Sequence, residues 1–166
     1  MLPVTSAHSC CMPKDKNGTS ARFTWTLGRP KENHADLLAA VEQYGLQRTL
    51  GQAMRYRLGV IIDELVSNAT SHGRCGEEQQ MLSVAIADHP KELVITLIDN
   101  GLPFDPTSHA LTPCPEKGTD IPIGGVGLCL VRRLADRMQY SRNDHRNHLS
   151  IFLDKNKSEN PCSCRK

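Results

Sequence analysis

The order of periodic segments predicts an α+β two-layer sandwich: a mostly antiparallel mixed sheet covered on one face by three helices. Three observations carry this. A strand-like alternation near the start is followed by two helical patterns, two strands, an irregular stretch, a third helix and two more strands. Each strand pair is joined by a short polar turn, which makes antiparallel hairpins. Strands and helices do not alternate one for one, as a parallel doubly wound sheet requires. The 166 residues are enough for one core and too few for two ordinary ones. The chain therefore reads as one domain over residues 21–155, between a flexible N-terminal arm (1–20) and a flexible polar C-terminal tail (156–166).

In Arg22-Phe23-Thr24-Trp25-Thr26-Leu27, β-formers alternate before a Gly28-Arg29-Pro30 break. Residues 34–44 read as a helix with Leu37, Leu38 and Val41 on one side and Gly45 ending it. A longer helix over 49–72 carries the apolar stripe Leu58, Ile61, Ile62, Leu65 and Ala69. Glu64, Asn68 and His72 form a polar stripe beside it. Residues 81–86 and 92–98 alternate as strands, joined through Asp88-His89-Pro90-Lys91. From 100 to 123 the chain is rich in Gly, Pro, Thr and Asp without a period, and such a long irregular stretch inside a domain is usually functional, as a lid. A helix over 126–138 places Leu128, Leu130, Val131 and Leu134 on its apolar side. Strands at 138–142 and 147–153 turn on residues 143–146.

Composition excludes several classes. A net charge of +2 with 23% charged residues is not the basic field of a nucleic-acid binder, and 4% aromatics supply no base-stacking platform. No apolar run approaches the roughly 18–20 residues of a membrane span, and no secretory signal is evident, so a cytoplasmic location is expected. Of seven cysteines, Cys10, Cys11, Cys162 and Cys164 lie in the end segments. Their spacing is not that of a zinc knuckle, and they read as reduced thiols in the arms. Cys129 reads as a core filler and Cys75 as a loop residue.

Three segments carry chemistry. Glu64 and Asn68 stand one helical turn apart and project from one face. A carboxamide oxygen on a rigid helix can ligate magnesium beside nucleotide phosphates without adding negative charge, which is the role expected of Asn68. Glu64 is placed to orient or deprotonate a nucleophile attacking a γ-phosphoryl group. Taken alone, the pair is an ordinary solvated Glu and Asn on an amphipathic helix. Asp99 directly follows a strand, and a carboxylate, which only accepts hydrogen bonds, suits the exocyclic amine of adenine and rejects the carbonyl of guanine. Gly101 lets the backbone approach a flat base. Alone, Asp99-Asn100-Gly101 is an ordinary turn, but Leu102-Pro103-Phe104-Asp105-Pro106 does not pair back as a hairpin does. Gly124, Gly125 and Gly127 lead into a helix whose free amides can hold phosphate oxygens. The P-loop, the dinucleotide fingerprint and the protein-kinase signatures are all absent.

The segment Ile61-Ile62-Asp63-Glu64-Leu65-Val66-Ser67-Asn68-Ala69-Thr70-Ser71-His72-Gly73 resembles the N-box of the histidine-kinase-like (GHKL) ATPase superfamily. The stretch from Leu97 to Pro106 resembles its first glycine box, and that from Gly124 to Asp136 its second. The Phe104-Asp105-Pro106 continuation, the helix ending Leu134-Ala135-Asp136 and the closing Arg146-Asn147-His148-Leu149 are most similar to single-domain anti-sigma-factor serine/threonine kinases. The resemblance covers about residues 22–154. It implies a Bergerat-type ATP-binding fold in which Glu64 is the general base, Asn68 holds Mg2+, and Asp99 reads adenine. Gly101, Phe104, Gly125, Val126, Gly127 and Leu128 would complete the ATP site, with 105–124 as the lid. The implied substrate is a serine of an anti-anti-sigma antagonist in a partner switch, with a sigma factor as a second partner; homodimerisation is also compatible. His72 fits the N-box pattern without an assigned role. The second glycine box is short and lacks a basic residue at the phosphates, a place Lys117 in the lid could fill.

Two functions compete on this basis: a kinase of the antagonist, and a non-catalytic ATP-binding regulator that sequesters a sigma factor or another partner. A detached sensor-kinase ATPase domain is a third, and would need an acceptor histidine elsewhere.

Overall fold

The computed structural model describes residues 22–27, 33–72, 80–108 and 126–157. The expected N-terminal arm, the lid beyond Ser108, Lys117, Gly125, and Cys10, Cys11, Cys75, Cys162 and Cys164 lie outside the described residues. Eight elements follow in order: β1 (Arg22–Leu27), α1 (His34–Gln47), α2 (Gln52–His72), β2 (Leu82–Asp88), β3 (Glu92–Asp99), α3 (Val126–Leu134), β4 (Arg137–Asn143) and β5 (Arg146–Asp154). The strands form one sheet in the order β1-β2-β3-β5-β4. All four pairings are antiparallel, so the parallel member allowed by a mixed sheet is not found among the described strands.

The two-residue alternation of the strands explains the layering. Phe23, Trp25 and Leu27, then Leu82, Val84 and Ile86, Leu93, Ile95 and Leu97, and Leu149, Ile151 and Leu153 project to one face, where they meet the helices. There they pack on Leu37 and Val41 of α1, on Leu58, Ile61, Ile62, Leu65 and Val66 of α2, and on Val131 of α3. The α2 stripe read from sequence is thus the central seam of the core. Each of its fully buried Leu and Ile side chains contributes about 1.5–3 kcal/mol relative to exposure. Among the described residues, no helix is long and apolar enough to cross a membrane.

Three boundaries differ from expectation. Helix α1 runs past Gly45 to Gln47, because the terminating left-handed residue is Thr49 (φ 51°) rather than the glycine. Gly45 serves packing instead: a Cβ there would lie 2.9 Å from Cγ and Cδ of Arg55, whose Nη1 donates to Leu50 O (2.8 Å) and whose Nε donates to Glu42 (3.0 Å). Helix α2 accordingly begins at Gln52, after this turn, rather than at 49. Helix α3 ends at Leu134, four residues early, because Asp136 N donates to Phe152 O and draws the chain into β4. The β4–β5 hairpin closes on Asp144 and His145, both with positive φ (49° and 60°), as a tight two-residue connection requires.

At the end of β2, buried Asp88 pairs with Arg48 Nε (2.8 Å) and with the Lys155 ammonium. Tyr44, packed on Phe23 at 5.5 Å between ring centroids, has its phenol pushed up to about 12 by burial and then by the Asp88 charge, against a smaller opposing effect of Arg48. Cys129 is buried as expected, but it is also disulfide-bonded rather than a free thiol in the core.

Candidate functional site

The residues singled out in the sequence gather into two groups at different elements. Glu64 and Asn68, both half-buried, lie on α2, and α3 packs against that helix. The contact is direct at Gly127. A Cβ built there would be 2.8 Å from Glu64 Cδ and 3.5 Å from Cγ, and would overlap the carboxylate oxygen Oε2. Only a glycine lets α3 begin where Glu64 lies without moving the carboxylate. No acidic residue of α3 itself lies in its first turn, whereas Arg132 and Arg133 occupy its last. The Glu64 charge therefore meets the positive end of α3, and the basic residues meet the negative end, both favourable for the helix dipole. Leu128 is half-buried one residue on; Val126 opens the helix.

The second group is built on the sheet. Asp99 ends β3, and its cross-strand neighbour on β5 is Asn147, which in turn faces Arg142 on β4. Asp99 Oδ1 accepts from Gly101 N (2.8 Å) and from Asn147 Nδ2 (2.9 Å). The buried Asn147 carboxamide also donates to Leu102 O (2.9 Å), and its Oδ1 accepts from Tyr140 Oη (2.8 Å) and Arg142 Nη1 (2.6 Å). Arg142 Nη1 reaches on to Gly101 O at 3.1 Å. The turn after β3 is thus held from three strands, and among the described residues both bonds to Asp99 fall on Oδ1. Asn100 closes the opposite side, accepting from Met81 N at 2.8 Å.

Beyond Gly101 the chain emerges: Leu102 and Phe104 are about half exposed, while Pro106 is buried. Asp105 caps the next turn through Thr107 N (2.8 Å) and Thr107 Oγ1 (2.6 Å). Arg132 of α3 fastens that turn, donating to Pro106 O (3.3 Å) and Ser108 O (2.6 Å). These bonds tie the segment after the Asp99 turn to the helix that begins at Glu64.

The sequence reading missed Asn147, Tyr140, Arg142 and Arg132 as site-builders. A buried polar residue inside a strand of alternating apolar positions was the available signal for Asn147, since such a group must be hydrogen-bonded. Nothing local marks the two arginines, whose backbone-carbonyl acceptors lie 24–41 residues away.

A carboxylate anchored on a sheet, a carboxylate and a carboxamide on a long helix, and a short helix whose Gly127 lies on the first of these make up a two-layer α+β domain of the kind expected. Comparison with known proteins agrees: the family description "Histidine kinase-like ATPase domain" matches residues 29–153, three quarters of the chain, which therefore belongs to that family. The chain is also 28% identical over 116 residues to the serine/threonine-protein kinase BtrW of Bordetella bronchiseptica, covering 70% of this chain and 82% of BtrW. ATP binding follows from this membership.

Proposed function

We propose that the protein is an ATP-dependent serine/threonine kinase of the anti-sigma-factor type, which phosphorylates an anti-anti-sigma antagonist in a cytoplasmic partner switch. The observation that carries the reading is the seating of Glu64 against Gly127. It brings a carboxylate suited to general-base work to the helix end whose amides suit phosphates. Similarity to a serine/threonine-protein kinase supports the same reading.

In this mechanism Asp99 Oδ2 accepts the exocyclic amine of adenine, Gly101 gives the base room, and Phe104 covers its exposed side. Residues 126–128 present amides to the phosphates. Glu64 takes the proton of the antagonist's serine as its oxygen attacks the γ-phosphorus, and ADP leaves. Magnesium fits the donor set. Among the described residues no cluster of three or more His, Cys, Asp or Glu side chains forms a metal cage, whereas Asn68 offers a neutral oxygen one turn from Glu64. That is the sparse protein ligation Mg2+ accepts when nucleotide oxygens and waters supply the rest. When bound, the ion would neutralise charge on the phosphates.

Incubation with ATP, Mg2+ and candidate antagonist domains, followed by mass spectrometry, should yield a phosphoserine; persistent absence of one sinks the kinase reading. A thermal shift provides the binding test. ATP at about 100 times its dissociation constant should add roughly 2.7 kcal/mol of stability, and an equal response to GTP would contradict the role of Asp99.

A further inference from the structure

Two of the contacts between helices α2 and α3 lie near opposite ends of α3. At one, Glu64 lies on Gly127; at the other, Arg57 Nε and Nη2 donate to Leu134 O at 3.1 and 2.6 Å. Arg57 is seven residues before Glu64, and Leu134 is seven residues after Gly127, so the helices run antiparallel and the two contacts are matched two turns apart, about 10.5 Å. The first contact has no side chain on the α3 side and cannot lock the helix along its axis. Buried Val131 fixes which face of α3 meets the core. With only nine residues, α3 has little stability of its own.

The axial lock lies at the other end. Leu134 O is one of the terminal carbonyls with no partner within the helix, and the Arg57 guanidinium supplies it. That guanidinium is itself held: Nη2 donates to Asp136 Oδ2 at 2.7 Å, and Asp136 accepts from Asp154 N at 2.8 Å and from Lys157 Nζ at 2.5 Å. Both members of the Arg57–Asp136 pair are largely buried, with 18% and 16% of their side-chain surface exposed. The planar fork of an arginine suits this two-acceptor geometry.

We propose that Arg57 is a positioning residue for the phosphate end of the nucleotide site: by clamping the C-terminus of α3 it sets how far the amides near Gly127 stand from Glu64. The proposal rests on the reading that α3 receives nucleotide phosphates, and its test separates the two. Calorimetric titration of the full chain with Mg2+-ATP and with adenosine compares the phosphate and base ends in one protein. Arg57→Met should weaken ATP about 10- to 100-fold while leaving adenosine affinity unchanged, and Arg57→Lys, which keeps a cationic donor for Leu134 O, should recover part of the loss. Should Arg57→Met not fold, Asp136→Asn, which frees the guanidinium from its anchor, should show a smaller loss confined to ATP. ATP affinity equal to wild type in the variants, or equal losses for ATP and adenosine, would overturn the proposal alone. A wild-type protein that binds adenosine no more weakly than ATP would remove the phosphate reading and the proposal with it.

Discussion

The two ends of the candidate site are built on opposite principles. At the base end, Asp99 sits in a closed hydrogen-bond network in which Asn147 uses both carboxamide atoms and three strands contribute. At the phosphate end, Glu64 and Asn68 stand on one helix, Glu64 against a glycine of another, and the fixing bonds lie two turns away at Arg57. The difference suits the tasks proposed for the two ends. A base is a flat, fixed object and can be met by groups locked in advance, whereas a transferring phosphoryl group needs polar atoms that are placed but not yet satisfied.

The comparison breaks most severely at Glu64. Glu64→Gln keeps the shape and removes the base, so phosphoryl transfer should fall by about 10²- to 10⁴-fold while ATP binding survives in calorimetry; unchanged transfer would show that Glu64 is not the general base. Gly127→Ala comes next. Its Cβ overlaps the end of a flexible side chain, so the fold should persist while the Glu64 carboxylate is pushed aside, with transfer reduced about 10- to 100-fold in a kinase assay. Asn147→Leu attacks the other end: it leaves Tyr140 Oη and Arg142 without their shared acceptor and should cost about 1–3 kcal/mol in urea unfolding. It should also erode the preference for ATP over GTP, an effect Gly127→Ala should not produce.

The smallest effect is one of pH, at the clamp. Burial alone would raise the Asp136 pKa, but hydrogen bonds from Lys157, Arg57 and Asp154 N, with the Arg57 charge, outweigh it and hold the carboxyl below 3.8. A lowered native pKa means that the unfolded chain takes up the proton first as pH falls. The stability contributed by Asp136 is therefore complete above about pH 4 and lost below it, as pH passes through the native value. The difference in melting temperature between wild type and Asp136→Asn should shrink on acidification through that range; a constant difference would show that the charge is not what matters.

Much of this was legible along the chain. The α2 stripe Leu58, Ile61, Ile62 and Leu65, the alternation of β2, β3 and β5, and the tight turn before Arg146 are local patterns, and the structure follows them. Gly45 misled because glycine serves two purposes, ending helices and admitting a close neighbour, and only the position of Arg55 shows which applies. The end of α3 misled because its apolar period runs on, while Arg57 and Phe152 stop it from outside.

By itself, then, the sequence determined the elements, their order and the identity of Glu64, Asn68, Asp99 and Gly127 as candidates, since periodicity and residue chemistry act within a few positions of each residue. Tertiary structure decided which of these meet. That Glu64 rests on Gly127, 63 residues later, and that Asn147 holds Asp99 across 48 residues, depends on strand register and helix packing, where a shift of one residue would turn the same side chains to another face.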